Sequence, residues 1–295
     1  MTCETATAAA LFPGQGVSLA GSRAIVAETC PQPYAGCCEL LGEDPFERAG
    51  ESTRFAQPAI FLASVAGWMR LDGETPGALA GHSLGELSAL TAAGALRLDD
   101  AVSLVVTRGA LMADAAERER DGGMLAVLKG TLADARELCQ SHGVDVANDN
   151  APGQTVLSGG HAALDAASAD ARARGLRAMR LDVAGAFHSA AMQSACEPFR
   201  RALDAVEIAE PRIPVFSSMT AAPFRDVRGE LARALVRPVR WRETMLALHA
   251  AGARRYLDVG PDRVLARLAE RNLQDVEVRA AIDLQPLREL GGVGA

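Results

Sequence analysis

Apolar and polar positions along the chain follow two rhythms. Residues 8–12 form a short unbroken apolar run that stops at Pro13-Gly14-Gln15-Gly16, which reads as a buried strand handing over to a loop. Residues 55–71 are apolar over a length that suits a buried helix, with Pro58 acceptable only near the first turn. The small-residue run 78–80 reads as a strand. It is followed by the Gly81-His82-Ser83-Leu84-Gly85 turn, a helix from 86 to about 95, and a longer helix from about 99 to 117.

The middle of the chain changes period. Residues 124–129 read as a strand and 131–141 as a helix capped by Thr131, with Asp134 three residues on. Strands at 144–147 and 155–158 flank an Asn-Asp-Asn-Ala-Pro-Gly turn, and a helix at 162–174 precedes a strand at 176–183. That order, βαββαβ, is the ferredoxin-like unit. Gly122-Gly123 and Gly185 bound it, so a small domain is expected at 122–183 inside a larger one made of 1–121 and 184–290, with 291–295 as a Gly-rich tail. Beyond it the α/β alternation returns: a strand at 213–219, helices near 227–236 and 241–251, a strand at 256–259, and a helix after Gly260-Pro261. A large α/β domain interrupted by a small four-stranded one implies a cleft between them.

Composition narrows the function classes. With 295 residues and 49% apolar content the chain can bury a large core, and with 4% aromatics its helices should pack through small side chains. The net charge of −7 argues against a nucleic-acid partner, which calls for a basic footprint. All but one of the 30 basic residues are arginine, the exception being Lys129. Guanidinium chemistry for phosphates or carboxylates is one reading of that bias, and a GC-rich genome is the simpler one. The six cysteines (3, 30, 37, 38, 139, 196) form no C-x-x-C pair and have no metal-ligand spacing with histidine, so no metal or other cofactor is expected. Residues 1–10 have no basic segment and carry Glu4, unlike a signal peptide, and no apolar run approaches the ~18 residues of a membrane span. The expectation is a soluble, reduced, cytoplasmic protein without a membrane partner.

Gly81-x-Ser83-x-Gly85 lies between a strand and a helix, the setting of a nucleophile elbow, although Gly-Ser-Gly turns are common in ordinary loops. The glycines permit the sharp turn that exposes the hydroxyl, and the following helix N-terminus favours a developing oxyanion. A serine nucleophile needs a base. Of the five histidines, His82 adjoins Ser83 and should point away in support of the turn; His142 and His161 fall at helix ends of the small unit, and His249 on an amphipathic helix. His188, in Ala186-Phe187-His188-Ser189 where the chain re-enters the large domain, is the best candidate, against the plainer reading of a satisfied buried histidine. In the 99–117 helix the apolar stripe Ala101, Leu104, Val105, Leu111, Met112 also contains Arg108. A buried arginine is costly unless paired, and its planar fork suits a carboxylate, either a structural one or one arriving on a substrate; periodicity leaves both open. Gly14-Gln15-Gly16 could bring backbone N–H groups to a ligand, or be only a strand-end loop.

Taken together these segments resemble the malonyl-coenzyme A:acyl carrier protein transacylase family, including polyketide synthase acyltransferases. The matching pieces are Phe12-Pro13-Gly14-Gln15-Gly16, Ala56-Gln57-Pro58-Ala59, Gly81-His82-Ser83-Leu84-Gly85-Glu86 and Arg108-Gly109. They continue with Asn148-Asp149-Asn150-Ala151-Pro152-Gly153-Gln154, Ala186-Phe187-His188-Ser189, Pro238-Val239-Arg240-Trp241 and Val259-Gly260-Pro261, collinear over about 8–282. The resemblance implies an α/β fold with a large α/β-hydrolase-like domain, an inserted ferredoxin-like domain and the active site in the cleft between them. It implies a two-step transfer of a malonyl group from a coenzyme A thioester to the phosphopantetheine thiol of an acyl carrier protein, through an acyl-serine on Ser83 with His188 as base. It further implies an oxyanion hole from the amides of Gln15 and Leu84, and His188 oriented by a main-chain carbonyl. Arg108 would hold the malonyl carboxylate, with Phe187, Gln57 and Asn150 also substrate-binding. Leu84 and Phe187 match members that take unbranched malonyl. The chain departs from the pattern at Val17-Ser18, at Ala234 where glutamine is usual, and at Arg237 where many members have asparagine. A monomer is expected. A hydrolase of the same family, transfer of another acyl group between carrier proteins, and a non-catalytic scaffold are the rival readings.

Overall fold

The computed structural model describes residues 7–71, 75–183 and 185–283. The tail at 291–295, Cys3 and residues 1–6 lie outside the described residues, as does position 184 at the expected domain boundary.

Six strands form the main sheet: β1 (Thr7–Phe12), β2 (Ala78–Gly81), β7 (Val215–Ser217), β8 (Ala222–Pro223), β9 (Ala253–Asp258) and β10 (Glu277–Ala280). Their order is β10-β9-β1-β2-β7-β8, all pairs parallel except the short β7–β8 hairpin. Alternation along β1 sends Ala8, Ala10 and Phe12 into one core and Ala9 and Leu11 into another. The first core is covered by α1 (Ser22–Thr29), α2 (Pro31–Leu41), α3 (Thr53–Met69), α4 (Gly85–Ala92), α5 (Leu98–Arg118), α8 (Gln193–Asp204) and α9 (Val227–Arg233). The second is covered by α10 (Trp241–Ala250) and α11 (Val264–Asn272). A parallel sheet buried on both faces leaves its reactive crevice beyond the strands' C-terminal ends.

A second sheet, order β4-β5-β3-β6, is antiparallel throughout: β3 (Gly122–Leu128), β4 (Asp145–Ala151), β5 (Gln154–Gly160) and β6 (Arg177–Arg180). Helices α6 (Leu132–His142) and α7 (His161–Ala173) cover one face and bury Leu125, Leu138, Leu157 and Leu164 with it. Thr131 and Asp134 form the expected capping box. The joint with the main body is β4. Asp149 N–H donates to Val239 O at 2.9 Å, Val239 N–H returns a bond to Ala147 O at 2.8 Å, and Arg242 pairs with the buried Asp149 carboxylate at 2.8 Å.

Several elements differ from the sequence reading. Residues 148–151 are strand, so the β4–β5 turn is only Pro152-Gly153, with Gly153 at φ +71°. Helix α3 begins at Thr53, capped by Ser52, and Pro58 therefore falls in its second turn rather than its first. Pro58 has no N–H for the Arg54 carbonyl, and Gly109 of α5 packs there instead: a Cβ on it would lie 3.1 Å from that oxygen. Helices α1, α2 and α8 and strand β10 were not anticipated. Among the described residues no helix is long and apolar enough to cross a membrane.

Candidate active site

Strand β2 runs into α4 through a turn that only glycine permits at its two ends. A Cβ on Gly81 would sit 2.0 Å from the Gly85 carbonyl carbon, and one on Gly85 would sit 2.0 Å from Phe12 O. Ser83 between them is held at φ +54°, a left-handed conformation that costs a non-glycine residue of the order of 1 kcal/mol. A Cβ on Gly14 would lie 2.5 Å from His82 O, so the loop after β1 rests directly on the elbow. This contact joins Gly14-Gln15-Gly16 to Ser83, which the sequence alone left open. The amides of Gln15 and Leu84 have no acceptor among the described residues, and Leu84 N–H is one of the unpaired donors at the start of α4.

His188 comes to the same point from the chain that leaves the four-stranded sheet. It too has a positive φ, +59°, in a turn closed by Ser189 Oγ donating to Ala186 O at 2.7 Å. Its Nε2 lies 2.8 Å from Ser83 Oγ. Its Nδ1 lies 2.9 Å from Ala234 O and 3.1 Å from Arg237 O. Carbonyls only accept, so Nδ1 carries the proton and Nε2 presents its lone pair to the serine hydroxyl. Burial pushes the imidazole down to about 4, and the Arg108 charge adds to the shift. The imidazole is therefore neutral across the physiological range.

Arg108 is buried, 4% exposed, as the apolar stripe of α5 requires. It donates from Nη1 to Gln57 Oε1 at 2.5 Å and from Nη2 to Ser83 Oγ at 3.2 Å. Gln57 Nε2 donates to Thr53 Oγ1 at 2.8 Å, and Thr53 Oγ1 to Gln15 Oε1 at 3.1 Å. One hydrogen-bond chain thus links the loop after β1, the start of α3, Arg108, Ser83 and His188. Among the described residues no carboxylate lies within ion-pair distance of Arg108. Burial lowers its pKa to about 10, opposed by the charge of Glu86.

The pair opens onto a cavity of about 510 Å³ between the two sheets. Gln15, Ser83, Phe187, His188 and Asn150 line it together with apolar side chains of β3, β5 and α11, including Met124, Val156 and Leu268. Asn150 reaches the wall, but its Oδ1 is engaged by His82 Nε2 at 2.8 Å. His82 is packed against Trp241 with ring centroids 5.3 Å apart, turned from Ser83 as expected. His142 pairs with Asp170 and His161 contacts Arg180, both in the small-sheet unit. The sequence reading missed Thr53, because its helix started too late, and gave Glu86 no role. Glu86 is buried behind the elbow. Its position three residues after the serine in an otherwise apolar helix was the available signal.

A serine–histidine pair at the C-terminal edge of a parallel sheet, open to a cavity, defines the class of protein: an α/β enzyme equipped to carry an acyl group on its serine. The chain belongs to the acyl transferase family: the family's acyl transferase domain model matches residues 39–289. It is 35% identical over 95% of its length to the malonyl CoA-acyl carrier protein transacylase of Synechocystis, covering 98% of that protein. It is 37% identical to the polyketide biosynthesis protein ThaF of Burkholderia thailandensis over 89% of this chain, spanning 24% of that longer protein. Among solved structures, FabD of Acinetobacter baumannii superposes with a TM-score of 0.85 at 36% identity, covering 93% of this chain and 94% of that one.

Proposed function

We propose that this protein moves a malonyl group from a coenzyme A thioester to the phosphopantetheine thiol of an acyl carrier protein, in fatty acid or polyketide synthesis. The observation that carries the reading is a buried arginine beside the serine hydroxyl with no carboxylate among the described residues within ion-pair distance. Ser83 Oγ attacks the thioester carbonyl while His188 Nε2 takes its proton, the amides of Gln15 and Leu84 receive the oxyanion, and coenzyme A leaves as the thiol. The carrier thiol then attacks the acyl-serine, His188 moves the proton again, and Ser83 is released. Arg108 holds the free malonyl carboxylate, with Gln57 fixing the guanidinium and Phe187 and Asn150 shaping the pocket. Supporting the carrier as partner, a relative of 33% identity has been solved as PlMCAT:AntF, a type II polyketide acyl carrier protein in complex with its malonyl transacylase.

In this reading the six-stranded body is the α/β-hydrolase-like domain (1–121 and 184–290). The unit at 122–183 is the inserted ferredoxin-like domain, and the protein works as a cytoplasmic monomer needing no cofactor. The deciding experiment supplies radiolabelled malonyl-CoA with and without a panel of carrier proteins. Label should pass to a carrier. Free malonate released at the same rate in both arms would establish a hydrolase instead.

A further inference from the structure

Glu86 is 1% exposed, yet it forms no ion pair with the buried Arg108. Its Oε1 accepts three bonds, all from β7 and the residue after it: Ser218 N–H at 2.7 Å, Ser218 Oγ–H at 3.0 Å and Ser217 Oγ–H at 3.2 Å. It lies in the first turn of α4, three residues beyond Ser83, so it is anchored to the helix whose start forms the elbow. The charged group facing it is Arg108 of α5. The hydrogen-bond partners of Glu86 on β7 and just after it are neutral serines, and the imidazoles of His82 and His188 are kept uncharged by burial.

Two buried opposite charges that do not touch leave the guanidinium available to another anion while partly neutralising it. Resting on the assignment of Arg108 to the substrate carboxylate, we propose that Glu86 is a positioning residue: it balances Arg108 in the empty site and takes up a proton from water when a carboxyacyl group docks there. The balance is simple. The incoming carboxylate replaces the Glu86 charge as the partner of Arg108, and one solvent proton neutralises Glu86. The hydroxyls of Ser217 and Ser218 can reverse to accept from the acid, while Ser218 N–H keeps its acceptor. Burial already lifts the Glu86 carboxyl to about 7, and Arg108 is among the groups holding it down. Neutralising Arg108 removes that restraint and lifts it further, so the uptake falls near neutral pH.

The test mixes the intact protein with malonyl-CoA or acetyl-CoA, without carrier, in weak buffer containing a pH indicator near pH 7.5. Malonyl loading should take up on the order of half a proton per site beyond acetyl loading, since both release the same thiol. Glu86→Gln, which keeps an acceptor for the three donors, should abolish the difference. In steady state, the malonyl-to-acetyl ratio of kcat/KM should fall several-fold between pH 6.5 and 8.5 in the unaltered protein and stay flat in Glu86→Gln. Equal proton uptake with both substrates, or a pH-independent ratio in the unaltered protein, overturns the inference even if Glu86→Gln fails to fold. Arg108→Ala separates the two layers. If it impairs malonyl and acetyl loading equally, the clamp itself is wrong; if it impairs malonyl alone while the unaltered protein takes up no extra proton with malonyl-CoA, only the role of Glu86 is wrong.

Discussion

Arg108 Nη2 donates to Ser83 Oγ across 3.2 Å, on a hydroxyl that also meets His188 Nε2 at 2.8 Å. A guanidinium in contact with the nucleophile places any carboxylate it binds a few ångströms from the bond to be made. Arg108→Ala should therefore depress malonyl loading about 30- to 150-fold more than acetyl loading, the equivalent of about 2–3 kcal/mol for a charge-assisted contact. Intact-mass measurement of the acyl-serine with each substrate reads this directly, and equal losses would make the arginine structural.

The same charge acts on the base. His188 is depressed from 6.5 to about 4 by burial and by Arg108, so the neutral imidazole survives far into acid. Measured with acetyl-CoA, kcat/KM, which reports the free enzyme, should rise as pH climbs through about 4 and be level above 5. Arg108→Ala should move that limb upward, because removing a nearby positive charge restores basicity. An unchanged limb would mean the histidine does not feel the arginine.

The elbow gives a stability prediction. Ser83 at φ +54° favours glycine over alanine, so Ser83→Gly should be more stable than Ser83→Ala by about 1 kcal/mol, although neither can form an acyl-enzyme. Gly85→Ala forces a Cβ against Phe12 O and should lower the yield of folded protein or cost about 4 kcal/mol or more. Urea titration of the three variants ranks them. A Gly85→Ala protein as stable as the parent would contradict the close strand–helix approach.

Much of this site could be read from spacing. Arg108 announced itself by occupying an apolar stripe, Ser83 by its glycines, and His188 by its place where the chain returns. What failed had identifiable causes. Helices α1 and α2 bury little beyond Val26 and Cys37, and α2 contains Pro31, Pro33 and Gly36, so neither shows an apolar stripe. Helix α8 does show one, Ala195, Phe199 and Leu203, but Pro198 interrupts it. Asn148-Asp149-Asn150 looked like a turn because polar runs favour turns. They are strand because Val239, Arg242 and His82 satisfy them from elsewhere in the chain, which no local window contains.

That joint should be testable by itself. Asp149 is 4% exposed and its counter-charge is Arg242, so Arg242→Ala leaves a buried carboxylate unpaired. A loss of about 2–4 kcal/mol is expected, less than a fully buried pair because Arg242 is partly exposed. Asp149→Asn with Arg242→Ala should recover part of it. A double-mutant cycle by chemical denaturation yields the coupling, and a value near zero would make the pair a surface contact without structural weight.

Phe187 is a wall of the cavity onto which Ser83 and His188 open. It is 5% exposed and lines the cavity together with His188. A branched malonyl thioester held by Arg108 at its carboxylate and by Ser83 at its carbonyl would carry its α-methyl in the cavity that Phe187 lines. Two fixed ends leave the α-carbon little freedom, and the methyl is worth about 1–3 kcal/mol of discrimination. Phe187→Ser should raise kcat/KM for methylmalonyl-CoA relative to malonyl-CoA by roughly 10-fold, within that range. It should also cost about 3 kcal/mol of stability for the emptied ring volume, so the comparison belongs well below the variant's Tm. Competition between the two thioesters in one tube cancels any loss of active protein. A ratio that does not move would assign acyl choice to residues other than Phe187.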